Sequence, residues 1–329
     1  MHRYTWILIT LVLSLTFPLV VCTNGHSAPK ILDIVSIGNQ DVQYQAYEWM
    51  VQEVNKRSNG SLQLRHHAAT LITKEAEAID AAKAGNIAIT TPVGAAPSLF
   101  PEMGVFMVPY LVQDYTHAYK ILNGEIGKQL ADLMERKYKL RPLYFYDYGF
   151  RHFWNAKRPI NTPADLKGLK LRVQQGKVYT DTVNGLGASA VPMGWNEVIP
   201  ACQQGVVDGG DLPVANIFYL KAYEVSKYAS LTYHTYSPTV TVINPDIWKG
   251  LSPEHQKLLQ EVGMGAQKFM RDKIESVDSL AGAKKLLEPV GMTVNAPDLA
   301  PFRALAEKNV WPQYKKQYPE MWEKIVNTK

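Results

Sequence analysis

Cysteine is nearly absent: Cys22 and Cys202 are the only two among 329 residues. Cys22 falls in an N-terminal run expected to be removed, so Cys202 is left alone and no internal disulfide can form. The fold must therefore hold by core packing, which a chain of this length can supply. Charge of one sign is also lacking: 35 basic against 30 acidic residues leave a net +5, spread along the chain. Such a balance argues against nucleic acid as a partner. Catalytic signatures are missing too. No Gly-x-Ser-x-Gly elbow, phosphate loop, His-Glu-x-x-His or zinc-type cysteine pair occurs. His66 and His67 are neighbours on a predicted strand and point to opposite faces, so they cannot share one metal. The "DGGD" at 208–211 lacks the alternating oxygen ligands of a calcium loop. No metal, cofactor or enzymatic activity is expected, and no low-complexity linker divides the chain.

What is present begins with a leader. His2 and Arg3 precede an apolar run from Trp6 to Val21, and small residues stand at Gly25 and Ser27. This pattern reads as a signal peptide over residues 1–27, cleaved after Ser27, which places the protein in the periplasm. A membrane anchor is the competing reading, and lipidation at Cys22 is disfavoured because Val21 stands where a small residue is needed. The rest is 46% hydrophobic and 20% charged over the whole chain, the composition of an ordinary globular protein of about two domains.

From Pro29 onward short apolar strands alternate with amphipathic helices, which predicts an α/β fold. Strands are expected at 31–37, 62–66, 86–90, 141–149 and 239–245. Helices are expected at 44–56, 74–84, 116–122, 125–137, 178–183, 196–204 and from Pro213 to Lys227, with long helical patterning over 252–288. In "LKGLKLRVQQG" at 166–176, Leu169, Leu171 and Val173 alternate with Lys170 and Arg172, a half-buried strand with one polar face.

Arg172 on that strand and Arg151 after the 141–149 strand are candidate anion binders, since two guanidinium groups can grip one carboxylate through charge-assisted bonds. Each is equally readable as a surface charge, and Trp195 as core packing or a stacking platform.

The stretches "ADLKGLKLRVQQG", "LGASAVPMGWNEVIPACQQGVVDGGDLPVANI" and "LSPEHQKLLQEV", with "GFRHFWN" before them, resemble the DctP-type solute-binding proteins of tripartite ATP-independent periplasmic (TRAP) transporters. The resemblance runs from about Ile31 to the C-terminus. It implies a two-domain periplasmic binding protein fold, type II-like, with a cleft between domains joined by strands and a long helix. The first domain would comprise 28–148 and about 238–277, the second 149–237 and about 278–329. The implied function is capture of a small organic acid for delivery to a small and a large membrane subunit, as monomer or homodimer. A ligand-sensing subunit or an exported enzyme acting on a carboxylate are the alternatives.

Position by position, the resemblance makes Arg172 the carboxylate anchor, Arg151 a second arginine and Trp195 a platform on the ligand body. Leu212 stands where many members carry asparagine, and Gln174 where proline is common, which puts Gln175 in question. Tyr44, Thr91, Pro92, Phe153 and Tyr236 complete the expected lining, with no charge from the first domain. The expected ligand is a monocarboxylate with an apolar or aromatic body.

Overall fold

A computed structural model describes residues 28–38 and 40–329; the expected leader over 1–27 lies outside them. Among the described residues nine strands form one mixed sheet: β1 (Lys30–Ser36), β2 (Leu62–Ala68), β3 (Ile89–Thr90), β4 (Arg141–Asn155), β5 (Lys170–Val173), β6 (Ser189–Pro192), β7 (Gly209–Leu212), β8 (Tyr228–Ile243) and β9 (Thr293–Asn295). Their order is β2-β1-β3-β8-β4-β7-β5-β6, with β9 paired to β8. At one end β1, β2 and β3 are parallel, and at the other β5, β6 and β7 are parallel. The antiparallel pair β4 and β8 joins the two ends.

Helix α1 (Val42–Arg57) follows β1. The Asp41 carboxylate accepts the Tyr44 amide at 2.9 Å and caps it. Val42, Ala46, Tyr47, Met50 and Val54 recur at helical spacing and are buried, against β1, β2 and the long helix Pro253–Glu275. Around the other end Trp154, Val198, Leu212, Ile217 and Leu287 form a separate core. A third core groups Phe100, Phe106, Met107, Leu171, Val183 and Phe302.

The two connecting strands are much longer than their local patterns predict. β4 continues six residues beyond 149 and is buried from Tyr144 to Asn155, so no apolar and polar alternation marks it. β8 begins eleven residues before 239, through a stretch rich in Thr, Ser, Tyr and His, with Pro238 inside it. Polar residues can fill this strand because neighbours satisfy them: Thr241 meets the Thr91 hydroxyl at 2.8 Å, and the His234 ring meets Thr232 at 2.8 Å. Register shifts occur between Asp147 and Gly149 and between Arg151 and Phe153. Gly149 has φ of +110°, and a Cβ there would lie 2.8 Å from the Ile274 side chain, so only glycine fits this bulge.

Two expected helices are also shorter. The segment from Pro213 ends as a helix at Tyr219. The 252–288 pattern breaks after Glu275, where Ser279 accepts the Gly282 amide at 3.1 Å and starts a new helix, Leu280–Leu287. Among the described residues no helix is long and apolar enough to cross a membrane.

Candidate functional site

Arg172 leaves β5 beside Gly210 of β7 and is 4% exposed. Its neighbour Lys170 on the same nominal polar face is exposed, so alternation alone does not set the environment. The guanidinium donates from Nε and Nη2 to the Met193 carbonyl, at 3.1 and 2.9 Å, and lies 5.6 Å from the centre of the Trp195 ring. Among the described residues no carboxylate lies within ion-pair distance of it. Burial, and then the like charge of Arg151, pull its pKa down to about 10. A carbonyl offsets part of the cost of burying a cation but supplies no counter-charge.

Arg151 is different. From β4 it forms a two-pronged ion pair with Asp211 of β7, Nε to Oδ2 at 2.7 Å and Nη2 to Oδ1 at 2.9 Å, and Nη2 also donates to the Asp211 carbonyl. Both partners are buried. Burial alone would raise the Asp211 pKa, but Arg151 and His234, whose Nε2 is 3.2 Å from Oδ2, hold it well below the usual carboxylate range. Only Nη1 of Arg151 has no partner. The two arginines therefore do not present two free forks, as the sequence suggests. Asp211 belongs to the "DGGD" stretch considered above only as a metal loop.

The first domain does contribute charge, contrary to the sequence reading. Asp41 at the start of α1 is 5% exposed, and burial pushes its pKa up to about 6. Glu75 opens α2 (Glu75–Lys83) and accepts the backbone amides of Gly94, at 3.0 Å, and Ala95. Burial raises its pKa despite those bonds and the attraction of Arg172. Tyr148, on β4, is 4% exposed and lies in the field of all four charges: burial and Asp41 raise its pKa, Arg151 lowers it, Glu75 raises it and Arg172 lowers it. Asp41, Arg151, Glu75 and Arg172 thus all act electrostatically on Tyr148.

The remaining expected residues divide. Trp195 is half-buried beside Arg172, and Leu212 packs with Met193 and Val198. Gln175 is exposed, with its carbonyl taken by the Ser98 hydroxyl, whereas the buried amide is Gln174, whose Oε1 has no partner. Gln174 touches the first domain: a Cβ on Gly94 would lie 3.1 Å from its Nε2. The Thr91 hydroxyl is engaged by Tyr47 and Thr241, and the Pro92 carbonyl accepts from Thr239 at 3.1 Å. Phe153 stacks on His234 at 4.0 Å, and Tyr44 lies 5.5 Å from the His66 ring. Tyr236 donates its hydroxyl to Asp147. His66 and His67 are bound separately, to Glu48 at 2.6 Å and Asp33 at 2.7 Å.

Two α/β lobes joined by long strands, with Ser98 bonded to Gln175 and Gly94 beside Gln174, have the architecture of a two-domain binding protein. The comparisons make the class specific. The family model DctP, bacterial extracellular solute-binding protein, family 7, matches residues 35–317. A solute-binding protein of Verminephrobacter eiseniae is 32% identical over 287 residues, covering 86% of this chain and 84% of that one. A TRAP periplasmic solute-binding protein of Bordetella bronchispeptica, with density interpreted as pantoate, superposes with a TM-score of 0.83 at 28% identity, over 91% of this chain and 99% of that one. One from Polaromonas, bound to D-erythronate, gives 0.80 at 30% identity, over 90% and 97%. The chain belongs to the DctP family of solute-binding proteins; it is a binding protein of the transport type and not an enzyme.

Proposed function

We propose that the protein is the periplasmic receptor of a TRAP transporter and that it captures a small organic acid whose carboxylate is held by Arg172. The observation that carries this is a permanently charged group, nearly fully buried, with a carbonyl but no carboxylate against it. A ligand carboxylate supplies the missing charge and matches the planar fork. Trp195 covers the guanidinium, and Nη1 of Arg151 is a second donor. Residues 1–27 act as the export signal, and delivery is to a membrane permease of a small and a large subunit. The division into 28–148 with 238–277 and 149–237 with 278–329 places the hinge in β4 and β8, beside the Gly149 bulge.

The test is a thermal-shift screen of carboxylic acids followed by titration calorimetry. A ligand at a hundredfold excess over its dissociation constant adds about 2.7 kcal/mol of stability. Arg172→Ala should weaken the hit by about 2 to 5 kcal/mol. Unchanged affinity in that variant removes Arg172 from the role of anchor.

A further inference from the structure

Strands β4 and β8 lose their even register over one short stretch. Arg151 pairs with Thr235 and Phe153 with Ser230, so Leu231, Thr232, Tyr233 and His234 of β8 all stand opposite His152 alone. Tyr233 has φ of +44°, a conformation that a bulky residue holds only where its surroundings fix it. This bulge turns the His234 ring against Phe153 and brings its Nε2 to Asp211, the counter-charge of Arg151.

The buried backbone groups of such a bulge need partners from outside the ladder. Tyr110 provides two: its amide donates to the His234 carbonyl at 3.1 Å and its hydroxyl to the Thr232 carbonyl at 2.9 Å. The Tyr233 amide is answered by His152, whose Nδ1 accepts it at 3.2 Å. A backbone amide can only donate, so Nδ1 carries no proton and Nε2 carries one. Nε2 donates that proton to Asp278 Oδ1 at 2.6 Å. Asp278 lies in the break after the long helix, where its Oδ2 accepts the Tyr115 hydroxyl at 2.6 Å and its carbonyl accepts the Tyr233 hydroxyl at 2.6 Å. Among the described residues no lysine or arginine pairs with it. A carboxylate thus fixes the tautomer of a fully buried ring, and the ring fixes the bulge.

We propose that His152 is a positioning residue of the ligand site. Held in one tautomer by Asp278, it fixes the Tyr233 bulge, which keeps His234 on Asp211 and leaves Nη1 of Arg151 free for the ligand. Successive side chains of a strand face opposite sides, so His152 acts through the bulge from the far face of the sheet, behind Arg151 and Phe153. This rests on the receptor reading above, in which Nη1 of Arg151 is the second donor to the acid.

The experiment compares the full mature wild-type chain with His152→Asn, His152→Leu and Met50→Ala. An asparagine oxygen falls near the place of Nδ1 and accepts the Tyr233 amide, whereas leucine fills the space and accepts nothing. Met50→Ala truncates the core beneath α1 and controls for lost stability alone. Heteronuclear NMR spectra of the ligand-free proteins follow the histidine rings and the Arg151 Nε–H. The wild-type His152 ring should show an unprotonated Nδ1. In His152→Leu the His234 ring and Arg151 Nε–H signals should move; in His152→Asn and Met50→Ala they should stay at their wild-type positions. A protonated Nδ1 in the wild type, unmoved signals in His152→Leu, equal movement in His152→Asn, or the same movement in Met50→Ala each overturns the proposal. The wild-type tautomer and His152→Asn decide it even where His152→Leu does not fold. Titration calorimetry with D-erythronate, pantoate and succinate then reads the site. For an acid that binds, His152→Leu should lose about tenfold in affinity, the share of one charge-assisted bond, and His152→Asn less than about threefold. Unchanged affinity in His152→Leu overturns the positioning role and leaves the receptor standing. Absence of binding by all three acids in the wild type counts against the receptor reading, while the spectra still decide what His152 does to His234 and Arg151.

Discussion

Arg151 and Arg172 are alike in sequence and opposite in circumstance. Arg151 is neutralised by Asp211 within the protein, whereas Arg172 is not. Removing the charge of Asp211 should therefore hurt folding before it hurts binding. Asp211→Asn leaves Arg151 buried without its counter-charge and should cost about 3 to 5 kcal/mol, read as a fall in the urea midpoint with little change in slope. A stability loss under about 1 kcal/mol would show that the pair is dispensable. Nothing local identifies Asp211 as that partner, because it stands 60 positions from Arg151, in a stretch weighed above only as a metal loop. Asp41 and Glu75 are similarly disguised. Locally they are a helix cap and a first-turn acid, roles so common that they draw no attention.

At the scale of elements, short strands and amphipathic helices are legible from periodicity, and β1, α1, β2, α2 and β5 lie close to where it puts them. The long strands are legible only in part. β4 and β8 are buried on both sides by other elements, so their sequences carry no period of two. The pairing of β4 with β7 also depends on small residues. A Cβ on Gly209 would come 2.0 Å from the Trp154 carbonyl, against backbone that cannot swing aside. Gly209→Ala should push β7 off β4, where Arg151 meets Asp211, and cost at least about 2 kcal/mol. A melting temperature within one degree of the wild type would contradict so tight a contact.

Across the whole molecule, folding buries two acids where water does not reach freely. Burial pushes Asp147 up to about 7, offset in part by Arg271 at 3.5 Å, and Asp41 up to about 6. Both values lie above those of the unfolded chain, so the native state binds the extra protons, and stability from these groups is lost as pH rises from about 4 to 7. Asp147→Asn mimics the protonated acid and should flatten that decline. Urea midpoints of the ligand-free protein at pH 5 and pH 7.5 should differ less in the variant than in the wild type. An identical pH slope would show that Asp147 titrates normally.

The sequence by itself determined the class of the protein. Periodicity is a local property, so the alternation of strands and helices could be read directly, and the motifs around Arg172 carried the family, which residues 35–317 match. Only the tertiary structure decided which charges are already paired and which are not. Charge pairing depends on distance in space and on burial. Asp211 answers Arg151 from across the sheet, while Glu75 comes into the field of Arg172 only when separate segments of the chain are folded together.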